Sequence, residues 1–270
     1  MKHIEDIRAL LDILLSSGSF HSLILEGAPG WGKSSTVENL FRQKGTPFVA
    51  LGSYTTPLSL FKFLSENPQA NVVIDDCAGI FGDAIAMSIL KAATWPSSGS
   101  EGTRLISWGT TSEKGEPPFF FDGKIVLLTN MVPKSGDGAA FTSRSLHYCI
   151  APGPIEMEGL LRSVASSPSF PDSDLAREVA DVLIDHARAA NFQGINLRTL
   201  RLGYELAQSK MDNWRELFQR VLPAPDPFRI AYLSTANGGT VEEQFKLFHR
   251  ATGLSRRTFF YYRSRDQQLK

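Results

Sequence analysis

Short apolar runs rich in branched side chains recur along the first half of the chain: SLILEG, PFVALGS, NVVIDDC, KIVLLTN and LHYCIAP. Each is closed by turn residues and too short for a buried helix, so the pattern predicts parallel strands buried on both faces and joined by helical crossovers. Between the first two, SSTVENLFRQKG sets Val37, Leu40 and Phe41 on one helical face and stops at Gly45. From about 95 to 121 the periodicity lapses into Gly, Ser, Thr and Pro, and within that stretch RLISW and PPFFF read as two arms of a hairpin with TTSEKGE at its tip.

After Pro152 and Pro154 the pattern is helical only: IEMEGLLRSVA, DSDLAREVADVLIDHARAA, and INLRTLRLGYELAQSK running into NWRELFQRVL. A proline cluster from Pro223 to Pro227 marks the next linker. Beyond it VEEQFKLFHRATGLSRRTFFYYRSR reads as helix, turn at Gly253, helix, with Phe245, Phe248 and Ala251 facing one side of the first and Ser255 able to cap the second. The expected organisation is an α/β core over 1–152, a helical subdomain over 153–222 and a small helix-turn-helix domain over 223–270.

Composition narrows the class. The 270 residues leave room for a nucleotide-binding domain and an appendage, and 42% hydrophobic with 21% charged residues is ordinary globular usage. No apolar run is long enough to cross a bilayer, and the opening MKHIEDIRALLDILLSSG is broken at helical spacing by Glu5, Asp6, Arg8 and Asp12, unlike a signal peptide. With Cys77 and Cys149 too few for a disulfide framework and expected as small buried thiols, the expected setting is cytoplasmic, with no membrane partner. Lys and Arg number 28 against 28 Asp and Glu, so net charge alone points to no partner. Its distribution does: Lys246, Arg250, Arg256, Arg257, Arg263, Arg265 and Lys270 outnumber Glu242, Glu243 and Asp266 in the last segment.

The sharpest chemical signal is Gly27-Ala28-Pro29-Gly30-Trp31-Gly32-Lys33-Ser34, followed by Ser35, which satisfies G-x-x-x-x-G-K-[ST] after a strand and at the opening of a helix. Such glycines let consecutive backbone N–H groups face a β-phosphate, and the helix N-terminus favours an anion. Lys33 is placed to reach the β and γ oxygens of ATP, and the Ser34 hydroxyl to ligate Mg²⁺. Val72-Val73-Ile74 ends in Asp75 and Asp76, two carboxylates where charge is costly without a cation or a proton to move. Asp75 is the candidate for the magnesium shell and Asp76 for the water-activating base; an Asp-Asp turn cap is the other reading.

With these residues the sequence resembles the AAA+ ATPases, and within them the superfamily 3 helicases of small viruses and mobile elements, over about Gly27 to Lys210. The resemblance implies a P-loop AAA+ core with a parallel five-stranded sheet and a helical lid, and a homo-oligomeric ring, hexameric in type. It makes Asn130 in IVLLTN the sensor of the attacking water or γ-phosphate, against an ordinary turn cap. Arg144 in AFTSRSLHYCI becomes a finger reaching the neighbouring subunit's nucleotide, against a surface Arg, and Arg198 in INLRTLRLGYELA the lid's sensor, with Arg201 as fallback. The hairpin corresponds to one that carries DNA contacts into a pore, here with Lys114 near the tip and Arg104 on the first arm, or else to a solvated loop. Asp75-Asp76 departs from the family's more frequent Asp-Glu, which bears on the choice of base.

In the tail, Arg256, Arg257, Arg263 and Arg265, with Thr258 and Tyr262 nearby, fit phosphates or base edges of DNA; the alternative is a structural hairpin with a solvated basic face. The functional expectation is a ring-forming ATPase acting on DNA, a helicase or translocase of a phage or mobile element. Two rivals stay open: a DNA-bound ATPase switch that recruits another protein, as helicase loaders and transposition regulators do, and a protein-remodelling ATPase, although no aromatic-glycine pore loop is evident.

Overall fold

A computed structural model describes the chain except for residues 1, 53–54, 77, 97–102, 110–115, 135, 190–191, 193, 225, 237 and 268–270. The chain forms two units, Met1–Ile150 and Ala151–Lys270. In the first, the five apolar runs are strands: β1 (Ser22–Gly27), β2 (Phe48–Gly52), β3 (Asn71–Asp75), β6 (Ile125–Thr129) and β7 (Leu146–Ile150), with β4 (Leu105–Ile106) and β5 (Phe119–Phe120) between β3 and β6. All pairings in the five-stranded sheet are parallel, in the order β2-β3-β6-β1-β7. The central strands are buried as expected, whereas β2 and β7 are edge strands with alternating half-exposed residues. That alternation leaves Cys149 exposed, against the expected buried thiol, and Cys77 lies outside the described residues.

Six helical segments accompany the sheet: α1 (Lys2–Ser16), α2 (Lys33–Gln43), α3 (Pro57–Glu66), a 3-10 turn (Ala78–Gly82), α4 (Ala84–Thr94) and α5 (Gly136–Thr142). Two of them, α3 and α4, lie outside the elements read from the sequence but carry sound start signals: Thr56 accepts from Ser59 N ahead of Pro57, and Asp83 accepts from Ile85 N and Ala86 N. The period of two in the strands sorts the packing. Ile24, Val72, Ile74, Ile125 and Leu127 join Leu60, Phe61, Met87 and Leu90 of α3 and α4 in one core, while Leu23, Leu25, Val73, Val126 and Leu128 are buried on the other face. There Tyr148, level with Leu25, donates to Asp6 of α1 at 2.9 Å.

β4 and β5 form the expected hairpin, with Leu105 opposite Phe120 and Ile106 opposite Phe119. Its inner side packs on α3 through Phe61, whose ring centroid lies 5.1 Å from Phe119 and 5.7 Å from Trp108. Arg104 is not a surface cation on the arm: it is buried, donating to Ala93 O at 2.7 Å and Gly123 O at 2.9 Å. Burial pushes its pKa down to about 10, with Asp122 opposing. Lys114 lies outside the described residues.

At the N-terminal ends of the strands Lys124 Nζ donates to Ser17 O and Phe20 O and lies 3.3 Å from His21 Nδ1. Burial, then Arg104, then Lys124, push the His21 pKa down to about 4 from 6.5. The unfolded chain therefore binds more protons than the fold between those values, so His21 stabilises the fold above about pH 6.5 and this stability is lost as pH falls towards about 4. Discounting for the partly exposed ring, the loss is about 1–2 kcal/mol. Thermal melts of the wild type and His21→Gln between pH 7 and pH 5 test this: the wild type is expected to lose more, and equal losses would place the sensitivity elsewhere.

The second unit is helical throughout: α6 (Pro154–Ala165), α7 (Ser173–Ala189), α8 (Leu197–Gln208), α9 (Trp214–Val221), α10 (Pro227–Thr235), α11 (Val241–Thr252) and α12 (Arg256–Gln267). α8 does not run into α9, and α10 is an additional helix whose start signal, Asp226-Pro227, is visible in the sequence. Two cores form. One joins Leu161, Leu183, Leu200, Tyr204, Trp214 and Phe218 from α6 to α9, and the other joins Tyr232, Phe248 and Phe259 from α10 to α12. Gly253, at φ 69°, turns α11 into α12, and Ser255 Oγ accepts from Thr258 N at 3.4 Å. Of the three residues on that side of α11, Phe248 is buried and Ala251 is exposed.

Candidate functional site

β1 sits inside the sheet with the chain leaving it for the far edge, so the loop after β1 opens at a switch point, where ligands of open α/β sheets bind. Gly27 packs so closely on β7 that a Cβ there would lie 2.7 Å from Ile150 O. Gly30 at φ 84° and Gly32 at φ 76° take the left-handed conformation, turning the loop into α2. Gly32 is the N-cap and offers no side chain, so the first-turn N–H groups of α2 have no side-chain cap. Trp31 is buried while Ala28, Pro29 and Ser35 are exposed, and Ser35 Oγ bonds back to Gly32 O at 3.0 Å.

Lys33 is buried, its Nζ donating to Gly27 O at 2.6 Å, Ala28 O at 3.1 Å and Asn130 Oδ1 at 3.1 Å. Asp75 shares a face with Val73 by strand alternation, and its Oδ2 accepts from Ser34 Oγ at 2.5 Å. The fold thus brings together Lys33, Ser34, Asp75 and Asn130, from the loop and the ends of two further strands. Asp76 follows β3 and is exposed, with φ 55°, a left-handed conformation that Asp and Asn tolerate better than most side chains. Non-glycine residues held there are over-represented at functional sites.

The seat of Asn130 has supports that motif reading missed. Thr129 Oγ1 donates to Met131 O at 3.0 Å and accepts from Met131 N at 3.3 Å. Glu26, just before the loop, accepts from Val132 N at 3.3 Å through Oε1 and pairs with His147 Nε2 at 2.8 Å through Oε2. A Glu at the end of an apolar strand was the available signal; its partners, 106 and 121 residues away, were not visible. Burial and Glu26 push the neighbouring Cys149 thiol up, away from a reactive thiolate.

The remaining candidates belong to other elements. Arg144 lies in the turn between α5 and β7, half-buried, with Nη1 3.4 Å from Ala140 O, and touches none of Lys33, Ser34 or Asp75. In the second unit Arg198 is exposed in the first turn of α8, with no ion pair among the described residues, whereas Arg201 is engaged by Glu205 at 2.9 Å and lies over Phe170. In the tail Arg256 pairs with Glu242 at 2.8 Å and lies over Phe245 and Phe260, and Arg263 donates to Gln244 at 3.3 Å. Arg257 is exposed and engaged by neither kind of contact.

No family model matches the chain, and no curated protein matches it by sequence. Solved structures do. Two point mutants of RuvB from Thermotoga maritima superpose on it, one with TM-score 0.53 at 13% identity over 94% of this chain and 82% of that one. The other gives TM-score 0.52 at 12% identity over 93% and 83%. At such identity the likeness is one of fold: an α/β AAA+ core with five parallel strands, continued by helices. Among the described residues no helix is long and apolar enough to cross a membrane.

Proposed function

We propose that the chain is an ATP-hydrolysing AAA+ protein that forms a ring and acts on DNA as a helicase or translocase. The observation that carries the reading is the convergence of Lys33, Ser34, Asp75 and Asn130 at the strand ends beside an uncapped helix N-terminus. Ser34 and Asp75 present two oxygen donors side by side, the ligand type Mg²⁺ takes, and would hold it through hydroxyl and carboxylate. When bound, the ion neutralises charge on the β and γ oxygens. Lys33 exchanges the loop carbonyls for phosphate oxygens, Asp76 accepts the proton of the attacking water, and Asn130 orients that water through its neutral amide. Arg144 serves a neighbouring subunit's site, and Arg198 keeps the sensor role that the family resemblance implies for the helical subdomain. Kinship with superfamily 3 rests on Asp75-Asp76 and on the hairpin before β6.

ATP turnover measured with no DNA, single-stranded DNA and duplex tests the DNA-acting part: stimulation by either is expected, and indifference to both would overturn it. Mixing Arg144→Ala with Lys33→Ala chains tests the ring. Each variant alone is expected to be inactive, and the mixture to recover part of the activity, because some interfaces then combine an intact loop with an intact Arg. Rings confirmed by sizing that show no recovery would make Arg144 structural. A second reading, the DNA-bound switch, draws support from Arg104: with this cation inside the fold, the described part of the hairpin offers less to a DNA strand than a moving pore contact needs.

A further inference from the structure

The solvent face of α12 is aromatic as much as basic. Arg257, Phe260, Tyr261 and Ser264 are exposed and follow one another at helical spacing, a single stripe on the side away from Phe259. Phe260 is 41% exposed and Tyr261 52% exposed, while Phe259 is fully buried against Tyr232 and Phe248. Arg256 lies over the Phe260 ring, 5.7 Å from its centroid, and is itself held by Glu242, so one aromatic of the stripe is stiffened from within the domain. Tyr262, turned inward, donates to Asp226 and ties α12 to the start of α10.

Charge identifies the partner. From residue 226 onward the chain has eight Lys and Arg against four Asp and Glu, although the whole chain is neutral. Arg250 and Arg257 are exposed with no ion pair among the described residues. A basic segment attached to an otherwise acidic chain suits a polyanion. The stripe does not suit a duplex, however. Base pairs are read in the major groove chiefly by side chains that hydrogen-bond to base edges, whereas Phe260 in the middle of this stripe could meet only a thymine methyl there. Flat exposed rings beside cations match the way unpaired bases are held, each stacked on an aromatic face with a cation at the phosphate.

Resting on the DNA-acting reading above, we propose that α12 binds unpaired bases, stacking them on Phe260 and Tyr261, with Arg257 at the adjacent phosphate. The helix is a single-strand platform rather than a duplex-reading helix. Fluorescence anisotropy of the full chain with a labelled oligothymidylate and with a duplex of equal length, across a salt series, provides the test. The double variant Phe260→Leu/Tyr261→Leu keeps apolar bulk but removes the ring faces; at unchanged melting temperature it is expected to lose at least about tenfold in single-strand affinity, with duplex binding and salt slope held. Arg257→Gln is expected to lower the salt slope for the single strand by about 0.7. Single-strand affinity unchanged in the Leu variant, or lost equally for both substrates, would overturn the stacking assignment while leaving DNA binding in place. A wild-type chain that binds neither substrate would overturn both.

Discussion

Replacing Lys33 by Ala is expected to lower ATP turnover by at least about 10²–10³-fold, the loss typical of one donor aimed at developing charge. The ammonium is buried at the loop, held for now by the carbonyls Gly27 O and Ala28 O, which it would exchange for phosphate oxygens. Ala keeps the helical backbone and leaves Gly30 and Gly32 to shape the turn, so the expected loss is chemical and not one of folding. Turnover of radiolabelled ATP, with a melting curve as control, measures it. Wild-type turnover in Lys33→Ala would remove the loop from the catalytic reading altogether.

Asp76→Asn is expected to retain nucleotide binding and lower hydrolysis by about 10²–10⁴-fold, the usual contribution of a general base. The backbone makes this substitution a clean one. At φ 55° most side chains strain the chain, but Asn accepts the left-handed conformation as readily as Asp and has nearly the same shape. Asp76→Ala, by contrast, is expected to cost about 1 kcal/mol of stability as well. Binding of a fluorescent ATP analogue beside single-turnover hydrolysis separates the outcomes. Normal hydrolysis in the Asn variant would move the base elsewhere, and lost binding would make Asp76 part of the nucleotide seat.

What the sequence revealed of this site was its local part. The glycine spacing, the strand before it and the helix after it all lie between Ser22 and Gln43, and the structure reproduces them. The carboxylates after Ile74 and the amide after Thr129 were legible because strand ends of a parallel sheet converge on one rim. Arg104 misled because a cation flanked by turn residues reads as solvated, whereas the carbonyls that draw it inside, Ala93 O and Gly123 O, belong to segments on either side of the hairpin. The partners of Arg256 were not legible either: its place in the first turn of α12 suggests a phosphate contact, while Glu242 and the rings of Phe245 and Phe260 also engage it. α3, α4 and α10 had start signals in Thr56-Pro57, Asp83 and Asp226-Pro227, but buried or short helices lack the clean amphipathic stripe that reveals a surface helix.

The two separate cores of the helical unit divide its resistance to opening. Among the described residues α6 to α9 share sixteen buried side chains, and α10 to α12 three, all aromatic, on a segment of fewer than fifty residues. A cluster that small supplies little toward independent folding, so the three tail helices form a foldon at the low end of the chain's stability. Their backbone amides are expected to exchange with solvent through local excursions, ahead of those in α7. A polyanion that binds only the closed form would suppress those excursions by mass action, making the tail's order a readout of what it holds.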